Sequence, residues 1–208
     1  MYIILSGIFI TNAIVAELIG GKLIDINGVP MSIGILPWPI VFITTDLINE
    51  YYGKQEVKKL SILTAVLIAY TFLVLHFAIQ IPSSKLSSVS TKDFNSVFGQ
   101  SQLIIIGSIV AFLVSQLIDT FIFHLLKNKT GEKLIWLRST GSTIISQLFD
   151  TFIVLGIAFY LPGIMDIETY IESGFTGYSI KLLVAVAMTP ILYLGHFFID
   201  KYLLNNEN

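Results

Sequence analysis

Long apolar runs, broken by short polar intervals, cover most of the chain. A bilayer core of about 30 Å takes about 20 apolar residues per helix. Six runs approach that length, at 1–20, 36–52, 57–81, 102–126, 141–161 and 178–203. The second is short and opens Leu36-Pro37-Trp38-Pro39, with prolines where a helix's first N–H groups are unpaired anyway. Between the first two runs, short apolar stretches flank Asn27-Gly28, the pattern of a type I′ hairpin, and Pro30 weakens the second strand. Thr189-Pro190 predicts a kink in the last helix. The intervals 82–101 and 162–177 read as polar loops. The expectation is an all-α membrane protein of one domain, 1–208, with six transmembrane helices and a short β-hairpin between helices 1 and 2.

Composition supports this. Only 12% of the 208 residues are charged and mean hydropathy is +0.81, against roughly 25% charge in soluble domains. A net charge of −2 speaks against nucleic-acid binding, and the absence of cysteine removes thiol chemistry, disulfides and thiolate metal sites. His76, His124 and His196 lie far apart, so neither a metal nor another cofactor is indicated, and His196 and Asp200 read as a surface pair. The first run lacks a basic leader and contains Asn12 and Glu17, so it reads as a mature helix. With six spans and both termini inside, eight of the twelve Lys and Arg residues (Lys54, Lys58, Lys59, Lys127, Lys129, Lys133, Arg138 and Lys201) fall on the cytoplasmic side. Lys22, Lys85, Lys92 and Lys181 fall on the other, so the positive-inside rule favours cytoplasmic termini.

Ionisable groups at membrane depth cost roughly 2.5–3.5 kcal/mol on insertion scales, so each asks for a reason. Glu17, Asp46, Glu50, Asp119 and Asp150 are such groups. Two belong to an internal repeat: Ser115-Gln-Leu-Ile-Asp119-Thr-Phe-Ile122 recurs as Ser146-Gln-Leu-Phe-Asp150-Thr-Phe-Ile153. Gln116 and Asp119, like Gln147 and Asp150, are three apart and share a helix face. Consecutive membrane helices run oppositely, so the copies form an inverted repeat of the kind that builds transporter sites. At a rise of about 1.5 Å per residue, Asp46, Asp119 and Asp150 fall roughly 9–14 Å from the cytoplasmic face and are expected to share one polar cavity. No basic partner at that depth is apparent from the runs. The alternative is that these polar residues only tie helices together by hydrogen bonds. Glu50 also reads as a solvated helix end before Gly53, His124 as interfacial, and Trp38 as either an interfacial aromatic or a cavity wall.

Thr45-Asp46-Leu-Ile-Asn-Glu50-Tyr-Tyr-Gly53-Lys54, with the doubled Gln/Asp helices, Asn12 and the Lys181…Thr189-Pro190 stretch, resembles the queuosine-precursor transporters, also called the "putative vitamin uptake transporter" family. The resemblance runs over essentially the whole chain. It implies uptake of deazaguanine bases across the plasma membrane without an ATPase. It also implies a six-helix layout similar to the substrate-binding subunits of energy-coupling-factor transporters. The chemistry suits such a ligand. A carboxylate accepts the paired ring N–H and exocyclic amine of a guanine-like edge, amides serve its carbonyl and ring nitrogens, and an aromatic ring stacks on its face. The candidate binding set is therefore Asn12, Trp38, Phe42, Thr45, Asp46, Glu50, Gln116, Asp119, Gln147 and Asp150. Asp150, nearest the bilayer midplane, is the expected reader of the base.

Two other classes compete. A binding subunit of a multi-component transporter would dock through an Ala-x-x-x-Ala face on its first helix. Ala13 and Ala16 miss that spacing, although Ala65 and Ala69 have it on the third. An intramembrane aspartyl enzyme would use Asp119 and Asp150 as a dyad, but the Gly-x-Gly-Asp context is absent. The expected partners are a small-molecule base and the lipid bilayer. A homo-oligomer is compatible with the sequence, which sets no oligomeric state.

Overall fold

The computed structural model of the protein describes residues 1–26, 29–99, 102–130, 134–187 and 189–199. In chain order these form α1 (Tyr2–Ile19), the strands β1 (Leu23–Ile26) and β2 (Val29–Ser32), α2 (Trp38–Tyr52) and α3 (Lys54–Ala78). They continue as α4 (Thr91–Phe98), α5 (Gln102–Thr130), α6 (Ile135–Leu155), α7 (Ile167–Ala187) and α8 (Thr189–Ile199). Among the described residues, five helical stretches are long and apolar enough to cross a membrane. α2, read from the sequence as the remaining span, has 15 residues and reaches about 22 Å, and it is not among those five. The all-α membrane fold expected from the apolar runs is borne out.

The hairpin is present as well. β1 and β2 pair antiparallel with Ile26 opposite Val29 and Asp25 opposite Pro30; the Asn27-Gly28 turn lies outside the described residues, as do Lys133, Asp200, Lys201 and the His196 side chain. One residue, Gly53, joins α2 to α3. Its φ of +82° lies where a Cβ is strained, which accounts for glycine after Tyr51-Tyr52.

Three boundaries differ from the expected ones, each for a local reason. The interval 82–101 contains α4, whose N-terminus is capped by Ser90: its Oγ accepts the Asp93 N–H at 3.1 Å and donates to Asp93 Oδ2 at 2.6 Å. The fifth membrane helix begins at Ile135 rather than 141, which carries Arg138 into its first turn. The last begins at Ile167 rather than 178, where Asp166 Oδ1 accepts the Thr169 N–H at 2.8 Å. Glycines read there as loop residues are contact points instead. A Cβ on Gly174 would come within 2.6 Å of the Phe152 ring, so only hydrogen lets α7 lie against α6. α7 is described to Ala187 and α8 from Thr189; Met188 between them, and with it the kink expected at Thr189-Pro190, lies outside the described residues.

An apolar core joins α1, α2, α3 and α5 through Phe9, Ala13, Val41, Ile48, Leu60, Ile68 and Phe112. The face of α6 turned into the bundle is polar instead. Arg138, Ser139, Ser142, Thr143, Ser146, Gln147 and Thr151 are all buried, while Trp136, Ile145 and Phe149 on its other side are exposed. A helix that buries its polar stripe and exposes its apolar one is built for lipid outside and a polar path inside.

Candidate functional site

The candidate residues form two polar clusters on either side of the α5–α6 pair. On one side, Asp46 from the middle of α2 faces the first turns of α6, and the Ser139 hydroxyl donates to its Oδ2. Asp46 is buried, and its Oδ1 has no hydrogen-bond partner among the described residues. Asp119 of α5 accepts from Ser146 at 3.1 Å and Thr143 at 3.4 Å, and lies close enough to act on Asp46 through space. Thr45 is tied to the Val41 carbonyl at 2.8 Å and reaches Gln116 Oε1 at 3.5 Å.

One helical turn beyond Asp46, Glu50 is not the solvated helix end expected. Its carboxylate meets Arg138 at 2.7 Å and Lys127 at 3.2 Å, with its side chain 8% exposed and that of Arg138 1%. His124, expected at the interface, contacts Asn49 Oδ1 at 2.8 Å.

On the other side, Asp150 pairs with Lys181 of α7 at 2.7 Å and accepts from Ser115 at 3.4 Å. Lys181 overturns the expectation that the three aspartates have no basic partner. Hydropathy averaging trims a helix at its charges, so the expected fifth run starts at 141 and leaves Arg138 outside, whereas the observed helix starts at Ile135 and carries it inside; Lys181 lies inside the expected run 178–203 but its pairing was not foreseen. Asp150 also lies eleven residues along α6 from Ser139, about 16 Å. The single cavity expected for three aspartates is therefore two clusters.

The inverted repeat has a direct structural meaning. Ser146 of the second copy donates to Asp119 of the first, and Ser115 of the first donates to Asp150 of the second. The helices cross antiparallel with their serines and aspartates exchanged, a local two-fold arrangement in one chain.

Between the clusters run two small cavities. The first is lined by Trp38, Phe42, Gln147 and Lys181 among others, the second by Phe42, Asp46, Ser139 and Thr143 among others. Phe42 stands in both walls. Trp38 is stacked on it with ring centroids 5.9 Å apart and also packs on Phe112, so the cavity-wall alternative describes Trp38. The cavities measure about 10 and 20 Å³, room for about one water each. A roomier one of about 240 Å³ lies between α3, α4 and α5. It is apolar, contains none of the candidate carboxylates, and offers a flat polar ligand little to bind. Asn12 stands apart, its amide donating to the Ile8 carbonyl of its own helix.

Lys181 enters the sequence reading only through the stretch that carries the family resemblance, and the residues not anticipated at the site are Arg138, Ser139, Ser142 and Thr143. Their signal was in the chain: polar pairs recur on α6 at 138/139, 142/143, 146/147 and 150/151, a four-residue step that keeps one face polar.

Over residues 32–195 the chain matches the profile of a family described as "Putative vitamin uptake transporter". It is similar to a "Probable queuosine precursor transporter" of Bacillus subtilis (strain 168), 31% identical over 174 residues that cover 83% of this chain and 74% of the relative. It is also similar to a Haemophilus influenzae (strain ATCC 51907 / DSM 11121 / KW20 / Rd) protein of the same description, 27% identical over 159 residues, covering 74% of this chain and 63% of that relative. No solved structure matches the chain.

Proposed function

Because the chain belongs to the "Putative vitamin uptake transporter" family, we propose that this multi-pass membrane transporter takes up deazaguanine-type queuosine precursors across the plasma membrane as a self-contained carrier. The observation that carries the reading is the free oxygen of Asp46. A buried carboxylate oxygen left without a donor costs about 1–3 kcal/mol or more, and here Asp46 borders a cavity walled by Phe42, the ring on which Trp38 stacks from the neighbouring cavity. A guanine-like edge supplies the missing donors, Trp38 and Phe42 supply the stacking face, and Gln147 supplies an amide. Asp46 rather than Asp150 is the reader, since Asp150 is already committed to Lys181. Phe42 separates the two cavities, so a bicyclic base enters when that ring swings aside and merges them.

Both competing classes lose support. Ala13 and Ala16 are buried in the bundle, and of the pair on α3 Ala65 is buried while Ala69 is exposed, so neither pair presents both alanines to a docking subunit. Asp119 and Asp150 each accept from the opposite serine rather than sharing a proton as a catalytic dyad would. The orientation rests on the basic residues. Without Arg138 and Lys181, both paired with carboxylates of other helices, the count is seven against three, still favouring cytoplasmic termini.

The test is uptake of labelled deazaguanine bases by cells lacking their own synthesis, with and without this protein, alongside binding to purified protein. Asp46→Asn abolishes binding in this account. A base lacking the exocyclic amine binds about tenfold weaker or worse, because a buried acceptor stays unpaired. Equal affinity for guanine-like and hypoxanthine-like bases refutes the carboxylate reading.

A further inference from the structure

Of the two cavities at the base site, the one away from Asp46 carries a positive charge. Its walls are the rings of Trp38 and Phe42, apolar side chains such as Ile35 and Val184, and the Gln147 amide. Among the described residues that line it, Lys181 alone is charged. Asp150 holds the Lys181 ammonium at 2.7 Å but is not one of those lining residues. The member of the pair that the cavity meets is therefore the cation.

The shape of the base decides what reaches that cation. Asp46, Phe42 and Trp38 follow one another at four-residue steps along one face of α2, about 6 Å apart. In a guanine-like bicycle, the ring N–H and exocyclic amine lie at one end of the long axis and the five-membered ring at the other. With the donor edge on Asp46, the five-membered ring lies past Phe42. A substituent on that ring then enters the first cavity beside Lys181.

An ammonium has three N–H donors, and Asp150 takes one of them. A neutral acceptor on the ring, such as a nitrile, takes another and leaves the ion pair intact. Hydrogen bonds from a charged donor are about twice as strong as those between neutral groups. An aminomethyl substituent is protonated at neutral pH, as a lysine side chain is. It would set a second cation against Lys181 between apolar walls, where charge is poorly screened. Displacing Lys181 from Asp150 would only trade one ammonium for another. A carboxylate substituent would instead crowd a second anion beside Asp150.

We propose that Lys181 is a specificity-determining residue of this carrier. It selects bases whose five-membered ring bears a neutral hydrogen-bond acceptor and rejects those bearing an alkylammonium. This rests on the carrier reading above and on Asp46 as the reader of the base.

The experiment measures equilibrium binding of four bases to the full chain purified in detergent: 7-cyano-, 7-aminomethyl-, 7-carboxy- and unsubstituted 7-deazaguanine. Wild type is expected to bind the cyano base about tenfold or more tighter than the aminomethyl base. The unsubstituted base falls between them, and the carboxy base binds more weakly than the cyano base. Lys181→Met leaves the Asp150 carboxylate without its cation and is expected to invert the order of the cyano and aminomethyl bases. Lys181→Met combined with Asp150→Asn removes both charges and is expected to bind those two bases alike. A lysine with a merely structural role would lower all four affinities by the same factor. Wild type binding the aminomethyl or carboxy base as tightly as the cyano base overturns the assignment, as does an order that both variants keep. The wild-type order is decisive by itself, so a variant that fails to fold does not protect the assignment. If the unsubstituted base binds and no substituent changes its affinity, the assignment fails while the carrier reading stands. If wild type binds none of the four, the carrier reading itself fails and takes this assignment with it.

Discussion

Glu50→Gln tests whether the buried ion pair anchors α2 to α6. The guanidinium of Arg138 is 1% exposed, its Nη2 lies 2.7 Å from Glu50 Oε1, and its Cζ stands 5.7 Å from the Phe123 ring centroid. Glutamine keeps the size and one acceptor but removes the charge. At an effective dielectric of 20, two unit charges about 4 Å apart interact by about 4 kcal/mol, and breaking one side of a buried pair costs about 3–5 kcal/mol. Asp46 also acts on this region and recovers part of the loss, which sets the expectation near 3 kcal/mol. That is a large share of the roughly 5–15 kcal/mol that keeps a domain folded. Lys127 is 23% exposed at 3.2 Å, so Lys127→Met is expected to cost about 1 kcal/mol or less. Replacing both partners, as Glu50→Leu with Arg138→Met, is expected to recover most of the loss. Thermal unfolding of the purified variants in detergent, followed by size-exclusion fluorescence, reads the difference. A Glu50→Gln protein melting with wild type, or a double variant no better than the single one, refutes the reasoning.

Gly174→Ala pushes a methyl group into the Phe152 ring and is expected to cost about 1–3 kcal/mol, with Phe152→Leu added in cis restoring part of the melting temperature. Asp150→Asn leaves the Lys181 ammonium without its counter-ion and, with Asp46 intact, is expected to change base affinity without abolishing binding. Asp119→Asn still accepts from Ser146 and Thr143 and is expected to bind while transporting slowly, so binding and uptake measured separately distinguish the two. Lys129→Cys, in a chain with no native cysteine, is expected to resist outside labelling in intact cells, and labelling from outside would invert the topology.

Helix number and the hairpin were legible because their causes are local: apolar length for the spans, Asn-Gly between short apolar runs for the strands. Helix starts were less so. Hydropathy equates charge with water, and this chain violates that equation at Arg138 and Lys181, whose counter-charges Glu50 and Asp150 come from other helices. A pairing 88 residues apart in the chain, as between Glu50 and Arg138, leaves no mark in any window. The early start of α7 was hidden for a different reason. Glu168 and Glu172 are exposed helix residues beyond the apolar stretch, and Gly174 signals a loop unless the Phe152 ring opposite it is known. Among the candidates, Asp46, Asp119 and Asp150 were found by their cost in a membrane. Their separation into two clusters follows from which neighbour each meets, α2 or α7, and no spacing within α5 or α6 contains that information.

The inverted repeat sharpens the point, because its symmetry makes the two aspartates equivalent only as far as α5 and α6 extend. Within that pair each aspartate receives the other copy's serine, at 3.1 and 3.4 Å. Symmetry then breaks at the flanks. Thr143 adds a hydroxyl to Asp119, and the corresponding residue on α5 is Phe112, which packs on Trp38. Asp119 looks toward a second carboxylate, Asp46, whereas Asp150 looks toward an ammonium. The same side chain in the same local frame thus faces negative charge on one side and positive charge on the other. A ligand's donor edge is drawn to the first cluster, where acceptor oxygens exceed donors, and its acceptor edge to the second, where Lys181 can give. A planar base with donors at one end and acceptors at the other would lie across the Phe42 partition in one orientation only. The repeat supplies the frame and the unequal neighbours α2 and α7 supply the polarity, so exchanging Asp46 for asparagine and Lys181 for methionine should weaken recognition at opposite edges of the same base.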